Sequence, residues 1–493
     1  MHRALLRLSG TQAESGGIRM EKIPRNTVIE LDIDSLAYGA RGVARLDDFV
    51  WFVDGALPGQ RIRARVLRMK KNYGEARLDQ VLKPSPHQVN PPCPWFSACG
   101  GCRLQDLDYD IQVLSKTRQL QDLLKRIGKV TVDNILPVIP ATSIYRYRNK
   151  MEFTFSNRRW ILPDEPPGVS SNFALGLHPA GRHDKILDIS NCLLQSETAG
   201  HLLRQIREMA SGSGLPPYDV KSHKGFWRFL VLREGFRTGD MMVNIITSGE
   251  GGPAGAEFIS GMAGRITSEA TGTTTVLHSI TDRKAEVAYG ESERILTGPG
   301  KIMEKIDDCR FEISPNAFFQ TNTLQAELLF RTIMSLAAFR GDETVYDLYC
   351  GTGAIGIYLA PAVKRVTGIE VVAAAVADAR RNITLNQTGN MDIFQGDMRD
   401  VLGCSGELPE RFGKPDVIIL DPPRGGPHPK TIRELLKLDV PKLIYVSCNP
   451  AILARDLDIL CSDMYHPSVI QPIDMFPHTS HIEVVTVLEK QGE

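Results

Sequence analysis

A chain of 493 residues, 42% apolar and 24% charged, is that of a globular protein long enough for about three domains. Its 58 basic and 58 acidic residues cancel, so no global field draws it to a polyanion, and any nucleic-acid surface has to be local. No apolar run reaches the length of a membrane span, and nine cysteines in a chain this size are no disulfide scaffold, which points to a reducing, cytoplasmic setting.

In chain order, residues 1–20 hold too short an apolar patch for a signal-peptide core. They read as a disordered leader, with Met20 a second candidate start. Residues 21–85 contain the short β-like runs VIELDIDSL, DDFVWFVDG, QRIRARVLRMKK and EARLDQVLK between Gly, Asp and Pro turns, the pattern of a small barrel of the oligonucleotide-binding kind. Arg61, Arg63 and Arg65 alternate with Ile62, Ala64 and Val66, which puts three cations on one strand face, and Arg68, Lys70, Lys71 and Arg77 follow. Such a face either holds single-stranded nucleic acid by its phosphates or is only solvated.

KPSPHQVNPPCPW marks a boundary, and a central domain is expected over 86–312. Its YRYRNKMEFTFSNRRW stretch interleaves Arg146, Arg148, Lys150, Arg158 and Arg159 with aromatics, which suits base stacking or simply the buried side of a strand. Over 313–493 apolar strands alternate with helices: TVYDLYC, RVTGIE, MDIFQGD, VIILDPP, LIYVSCN and HIEVVTVLE. That is an α/β, Rossmann-like doubly wound sheet, in which ligands gather at the carboxyl ends of the strands.

The first of these strands runs into Gly351-Thr-Gly353-Ala-Ile-Gly356, and the second ends at Glu370, where a carboxylate can accept both ribose hydroxyls. A nicotinamide dinucleotide or S-adenosylmethionine fits this geometry. Asp347, just before the glycines, suits a positively charged amino-acid tail better than a pyrophosphate, which favours S-adenosylmethionine. Asp397 ends the third strand, where it either receives an adenine amino group or caps a helix.

The fourth strand ends in Asp421-Pro-Pro-Arg424, and the fifth delivers Cys448 to the same edge. Carbon 5 of a pyrimidine accepts a methyl group only after a thiolate has added to carbon 6, and a base must then remove the carbon-5 proton. If the last strand runs antiparallel, Glu483 at its start reaches the pocket of Cys448. His478 and His481 receive no role.

The motifs PNAFFQTN, DLYCGTG, LDPPRGG, VSCNP and HIE, with the barrel ending KKNYGEARLDQVLKPSPHQV, resemble as a set the RNA uracil-5 methyltransferases. The resemblance covers nearly everything after Met20 and implies a TRAM barrel, a central α+β domain and a methyltransferase domain. It implies Cys448 as nucleophile and Glu483 as base, with Gln320, Tyr349, Glu370, Asp421 and, less firmly, Asp397 at the cofactor and Arg424 lining the uracil pocket. Some ribosomal members carry Asn where this chain has Ala354, so one side-chain contact is missing here. Cys93, Cys99 and Cys102, spaced C-x5-C-x2-C, together with Cys192 resemble the set that holds a [4Fe-4S] cluster, although all-thiolate ligation suits zinc as well. The implied partner is RNA, ribosomal (23S) in preference to transfer RNA, bound by a monomer with no membrane contact. The competing reading is a noncatalytic RNA-binding iron-sulfur protein.

Overall fold

The computed structural model describes residues 23–130, 135–269, 274–403 and 407–491, so the leader expected over 1–20 lies outside the described residues. Between Val28 and Lys83 strict alternation of apolar and polar residues gives strands with one buried face. They are β1 (Val28–Asp32), β2 (Ser35–Ala37), β3 (Arg41–Leu46), β4 (Phe49–Asp54), β5 (Arg61–Met69) and β6 (Tyr73–Lys83), in the order β1-β5-β6-β4-β3-β2. Asp47 and Asp48, at φ 48° and 61°, form the two-residue turn that joins β3 to β4. Inward-facing Leu31, Val53, Ile62, Ala64 and Val66 pack around the fully buried Trp51. This unit also includes residues 102–122 and 478–481, where Gln112 donates to the carbonyls of Leu104 and Leu107 and accepts the His478 amide.

The expected cation face is present but largely neutralised. Arg61 and Arg63 pair with Glu30, Arg65 with Asp79, and Arg68 with Glu75, acids that lie on neighbouring strands and so are invisible to a scan along one strand. Lys70, Lys71 and Arg77 are exposed and have no ion pair among the described residues.

The second unit contains an eight-stranded mixed sheet made of β7 (Lys150–Ser156), β8 (Arg159–Trp160), β9 (Ala174–Leu177), β10 (Ile186–Asp188), β11 (Trp227–Glu234), β12 (Met241–Thr247), β13 (Thr274–Ile280) and β14 (Ser292–Thr297). Phe153 and Phe155 of the aromatic stretch are buried in it, and Arg182 and Lys185 cover Trp160. A hairpin of β15 (Ile302–Ile306) and β16 (Cys309–Ile313) leads to the second sheet.

That sheet has seven strands: β17 (Thr344–Leu348), β18 (Arg365–Glu370), β19 (Met391–Gln395), β20 (Val417–Leu420), β21 (Lys442–Ser447), β22 (Tyr465–Ile473) and β23 (Glu483–Lys490). Their order is β19-β18-β17-β20-β21-β23-β22, with β17 to β21 mutually parallel and β23 antiparallel to β21. Strands such as VIIL and LIYV are apolar throughout because helices cover both faces of a parallel sheet. The winding order reverses between β17 and β20, with β18 and β19 on one side and β21 on the other, and this is the switch point where a ligand crevice opens. One core runs through this region, from Met242 and Leu277 through Phe330 to Ile419, Ile444 and Val485.

Candidate active site

Strand register assembles the site. β21 pairs with β23 as far as Ser447 and Val484, so Cys448 and Glu483 are the next residues at the end of that ladder, and the Glu483 charge acts on the Cys448 thiol. Leu420 faces both Leu348 and Tyr445, which brings Asp421 to the same edge from the central strand. Glu483 is buried with 4% exposure, Cys448 is half-buried, and Arg424 is exposed at the mouth.

Burial dominates the electrostatics. It pushes Asp347 up to about 8, aided by the charges of Asp421 and Glu370 and opposed by the Gly356 amide. Asp421, which keeps some solvent contact, is raised to about 7 by the same cause. Glu483 is lifted well above the usual carboxylate range by burial and then by Asp421, while Arg424 pulls it back. The Cys448 thiol rises to about 11 through burial, then Glu483 and Asp421, again opposed by Arg424. A pocket with this excess of acids stabilises a cation and disfavours a second anion.

At the glycine loop, Gly351 and Gly353 take φ of 55° and 77°, which permits the tight turn after β17. Tyr349 adopts φ 64°, an uncommon conformation for a bulky residue, and its half-buried phenol is pushed up to about 12 by burial and then by Asp397. Glu370 accepts the amides of Gly351, Val371 and Val372 at 3.1, 2.9 and 2.8 Å, so its carboxylate is held at the strand end. Asp347 accepts the Gly356 amide on Oδ2 at 3.0 Å, while its buried Oδ1 has no partner. An unpartnered carboxylate oxygen among acids fits a cofactor with an ammonium and a sulfonium, so the donor set suits S-adenosylmethionine.

The other expected residues, Gln320 and Asp397, are engaged by local partners. Gln320 is half-buried in the loop between β16 and the helix Thr323–Ala337, and its carbonyl accepts from Asn149 at 3.0 Å. Asp397 opens the helix Met398–Gly403, accepting the Arg399 amide at 2.8 Å and pairing with that guanidinium at 3.0 Å, so it caps a helix. Two contacts escaped the reading of the sequence. Asn449 and Arg455 both donate to carbonyls of the loop that carries Arg424, and no local pattern signals a bond between segments 25 or more residues apart.

The four cysteines behave differently. Among the described residues no group of three or more His, Cys, Asp or Glu side chains is arranged to hold a metal ion. Cys93 and Cys102 belong to the first unit and Cys99 and Cys192 to the second, so neither unit alone assembles the expected set. Cys93 is raised by burial and accepts from the amides of Trp95 and Phe96, and Cys99 accepts from Gly101 at 3.4 Å.

The chain is similar to known proteins. A family model described as tRNA (Uracil-5-)-methyltransferase matches residues 301–402 and 409–491, and a TRAM domain model matches 25–78. A protein of Chlorobaculum tepidum named as an uncharacterized RNA methyltransferase is 40% identical over 89% of this chain and 91% of its own length. One of the same description from Porphyromonas gingivalis is 38% identical over 94% and 100%. Among solved structures, a Pyrococcus abyssi tRNA (uracil-54, C5)-methyltransferase in complex with S-adenosyl-L-homocysteine superposes with a TM-score of 0.72 at 30% identity, covering 93% of this chain and 99% of that one.

Proposed function

The chain belongs to the RNA uracil-5 methyltransferases, and from that premise we propose that it methylates carbon 5 of one uridine in a structured RNA through a covalent adduct of Cys448. The observation that supports this reading is the antiparallel pairing of β21 and β23, which ends at Ser447 and Val484, one residue short of Cys448 and Glu483.

Asp347, Glu370 and the glycine loop would hold S-adenosylmethionine, whose sulfonium would supply an electrophilic methyl group. The Cys448 sulfur, as thiolate, bonds to carbon 6 of the flipped-out base and makes carbon 5 nucleophilic. Arg424 at the mouth stabilises the enolate that forms. Carbon 5 then takes the methyl group as the carbon–sulfur bond of the donor breaks, leaving S-adenosylhomocysteine. Glu483 removes the carbon-5 proton, and the electron pair released expels Cys448 from carbon 6. The lifted proton affinity of Glu483 suits a base. Burial and the neighbouring acids favour the protonated form of Cys448, and Arg424 opposes them.

RNA carrying 5-fluorouridine tests the scheme, because fluorine on carbon 5 cannot leave as a proton does. A stable protein–RNA adduct through Cys448 should accumulate, and its absence under conditions that methylate ordinary RNA would sink the mechanism. Glu483→Gln should form the adduct with ordinary RNA and stall release, whereas Cys448→Ala forms none. A protein that transfers no labelled methyl group to RNA is instead a noncatalytic RNA binder.

Ribosomal RNA is the favoured substrate on the cysteine set, and the substrate of the Pyrococcus abyssi relative favours transfer RNA as the second reading. Mapping 5-methyluridine in both RNAs, from cells with and without the gene, separates them. The cluster rests on the resemblance of Cys93, Cys99, Cys102 and Cys192 to the set of the iron-sulfur members and enters no step of the scheme. Iron and sulfide content of anaerobically purified protein tests it. We place the enzyme in the cytoplasm as a monomer, the latter checked by light scattering.

A further inference from the structure

Among the described residues the charged groups that act on Cys448 are Glu483 from β23 and Asp421 and Arg424 from the segment after β20, and of these Arg424 is the cation. Its side chain is exposed and has no ion pair among the described residues. It is followed by Gly425 and Gly426, the latter at φ 70°, so the local sequence does little to hold it still.

Side chains at the next strand's exit hold it instead. Asn449 Nδ2 donates to the Arg424 carbonyl at 3.3 Å, while its Oδ1 caps the helix Pro450–Asp463 by accepting the amides of Ala451 and Ile452 at 3.2 and 3.4 Å. One turn on, Arg455 Nη2 donates to the Pro427 carbonyl at 3.2 Å. Its guanidinium is braced by Asp456, with Nε–Oδ1 at 2.7 Å, and the wholly buried Asp456 accepts the Tyr445 hydroxyl at 2.7 Å. Gly426 packs so tightly on this helix that a Cβ would fall 2.3 Å from Ile452 Cγ2 and 3.0 Å from Arg455 Nη2. Cys448 directly precedes Asn449, the N-cap of this helix, so the segment that follows the thiol also grips both ends of the Arg424–Pro427 segment.

We propose that Asn449 and Arg455 are positioning residues that clamp the Arg424–Pro427 segment to the Cys448 helix and thereby hold the Arg424 guanidinium against the Cys448–Glu483 pair. The inference rests on Cys448 as the reacting thiol. The clamp works through the backbone, which leaves the Arg424 side chain free to meet substrate. Releasing it lets the cation drift while both acids stay, so the thiol becomes harder to ionise.

The test is the pH dependence of Cys448 alkylation by iodoacetamide in the full chain, followed by mass spectrometry of the Cys448 peptide. Asn449→Ser keeps a helix cap but cannot reach the Arg424 carbonyl, and Arg455→Met keeps the apolar stem. Both should move the alkylation profile to higher pH, in the direction of Arg424→Gln. A profile displaced upward by about one on the pH scale lowers the rate at fixed pH about tenfold. In an Arg424→Gln background neither variant should displace it further. Profiles that match the parent, or displacements that persist without Arg424, overturn the clamp. Alkylation needs neither RNA nor cofactor, so failure of the 5-fluorouridine adduct with the clamp profiles intact condemns the catalytic reading alone.

Discussion

Asp347 holds the Gly356 amide with one oxygen and nothing with the other, at the centre of a cluster with Asp421 and Glu370. Burial lifts it to about 8, so in the free enzyme at neutral pH it keeps its proton. A cationic ligand favours the ionised form, so binding should expel a proton and tighten as pH rises toward 8. Calorimetry with S-adenosylmethionine at pH 7 in buffers of different ionisation heat checks this, and a heat independent of buffer would show the carboxyls already ionised. The same raised carboxyl works against folding: its unfavourable contribution begins above the ordinary value of 3.8 and grows until about 8. The free enzyme should therefore lose stability over that window, and cofactor should protect it most at the alkaline end. Cys448 was legible because an apolar strand ends on it, and Glu483 because a charged residue opens the last strand. Asp397 was legible only as a pair of alternatives, since a carboxylate after a strand suits a ligand and a helix start equally well.

Elements explain what single positions cannot. In the first unit Trp51 fills the space beside Gly74, whose added Cβ would fall 2.3 Å from the indole ring. Both lie within the strand pairing of β4 and β6, which leaves the ring no free direction. Gly74→Ala should therefore destabilise this unit by about 1–3 kcal/mol, the usual range for overpacking a core. Thermal unfolding of the variant measures it, and an unchanged midpoint would mean the ring can give way. The alternation of Arg61, Arg63 and Arg65 was readable along β5, but Glu30 lies 31 residues from Arg61. Strand order supplies that partner, and it turns an apparent basic stripe into a row of ion pairs. Aromatics in β7 likewise follow the strand's period and belong to the core.

Across the whole molecule the balance of 58 basic and 58 acidic residues leaves RNA affinity to local cations. The four arginines of β5 are all paired, whereas Lys70 and Lys71 just beyond it and Arg77 on β6 are exposed and have no ion pair among the described residues. Each phosphate contact contributes about 0.7–0.9 to the slope of log affinity against log salt. Replacing all three residues by Gln should reduce the salt slope of RNA binding by about 2 while leaving S-adenosylmethionine affinity unchanged. A slope equal to that of the parent would place the phosphate contacts elsewhere. No helix among the described residues is long and apolar enough to cross a membrane.

Composition and periodicity alone determined the two kinds of sheet, the glycine-loop crevice and the residues arriving at its edge. Those signals are local: a period of two, an apolar run, a turn residue at a strand end. Only the tertiary structure decided that Cys448 faces Glu483 and that Asp421 crowds both, because antiparallel register joins residues 35 apart through hydrogen bonds no sequence window contains. It alone decided how far each acid is desolvated, since burial is set by everything packed around a group. The Asn449 and Arg455 contacts to the Arg424 segment belong to the same class, as bonds between side chains and a distant backbone made possible by packing.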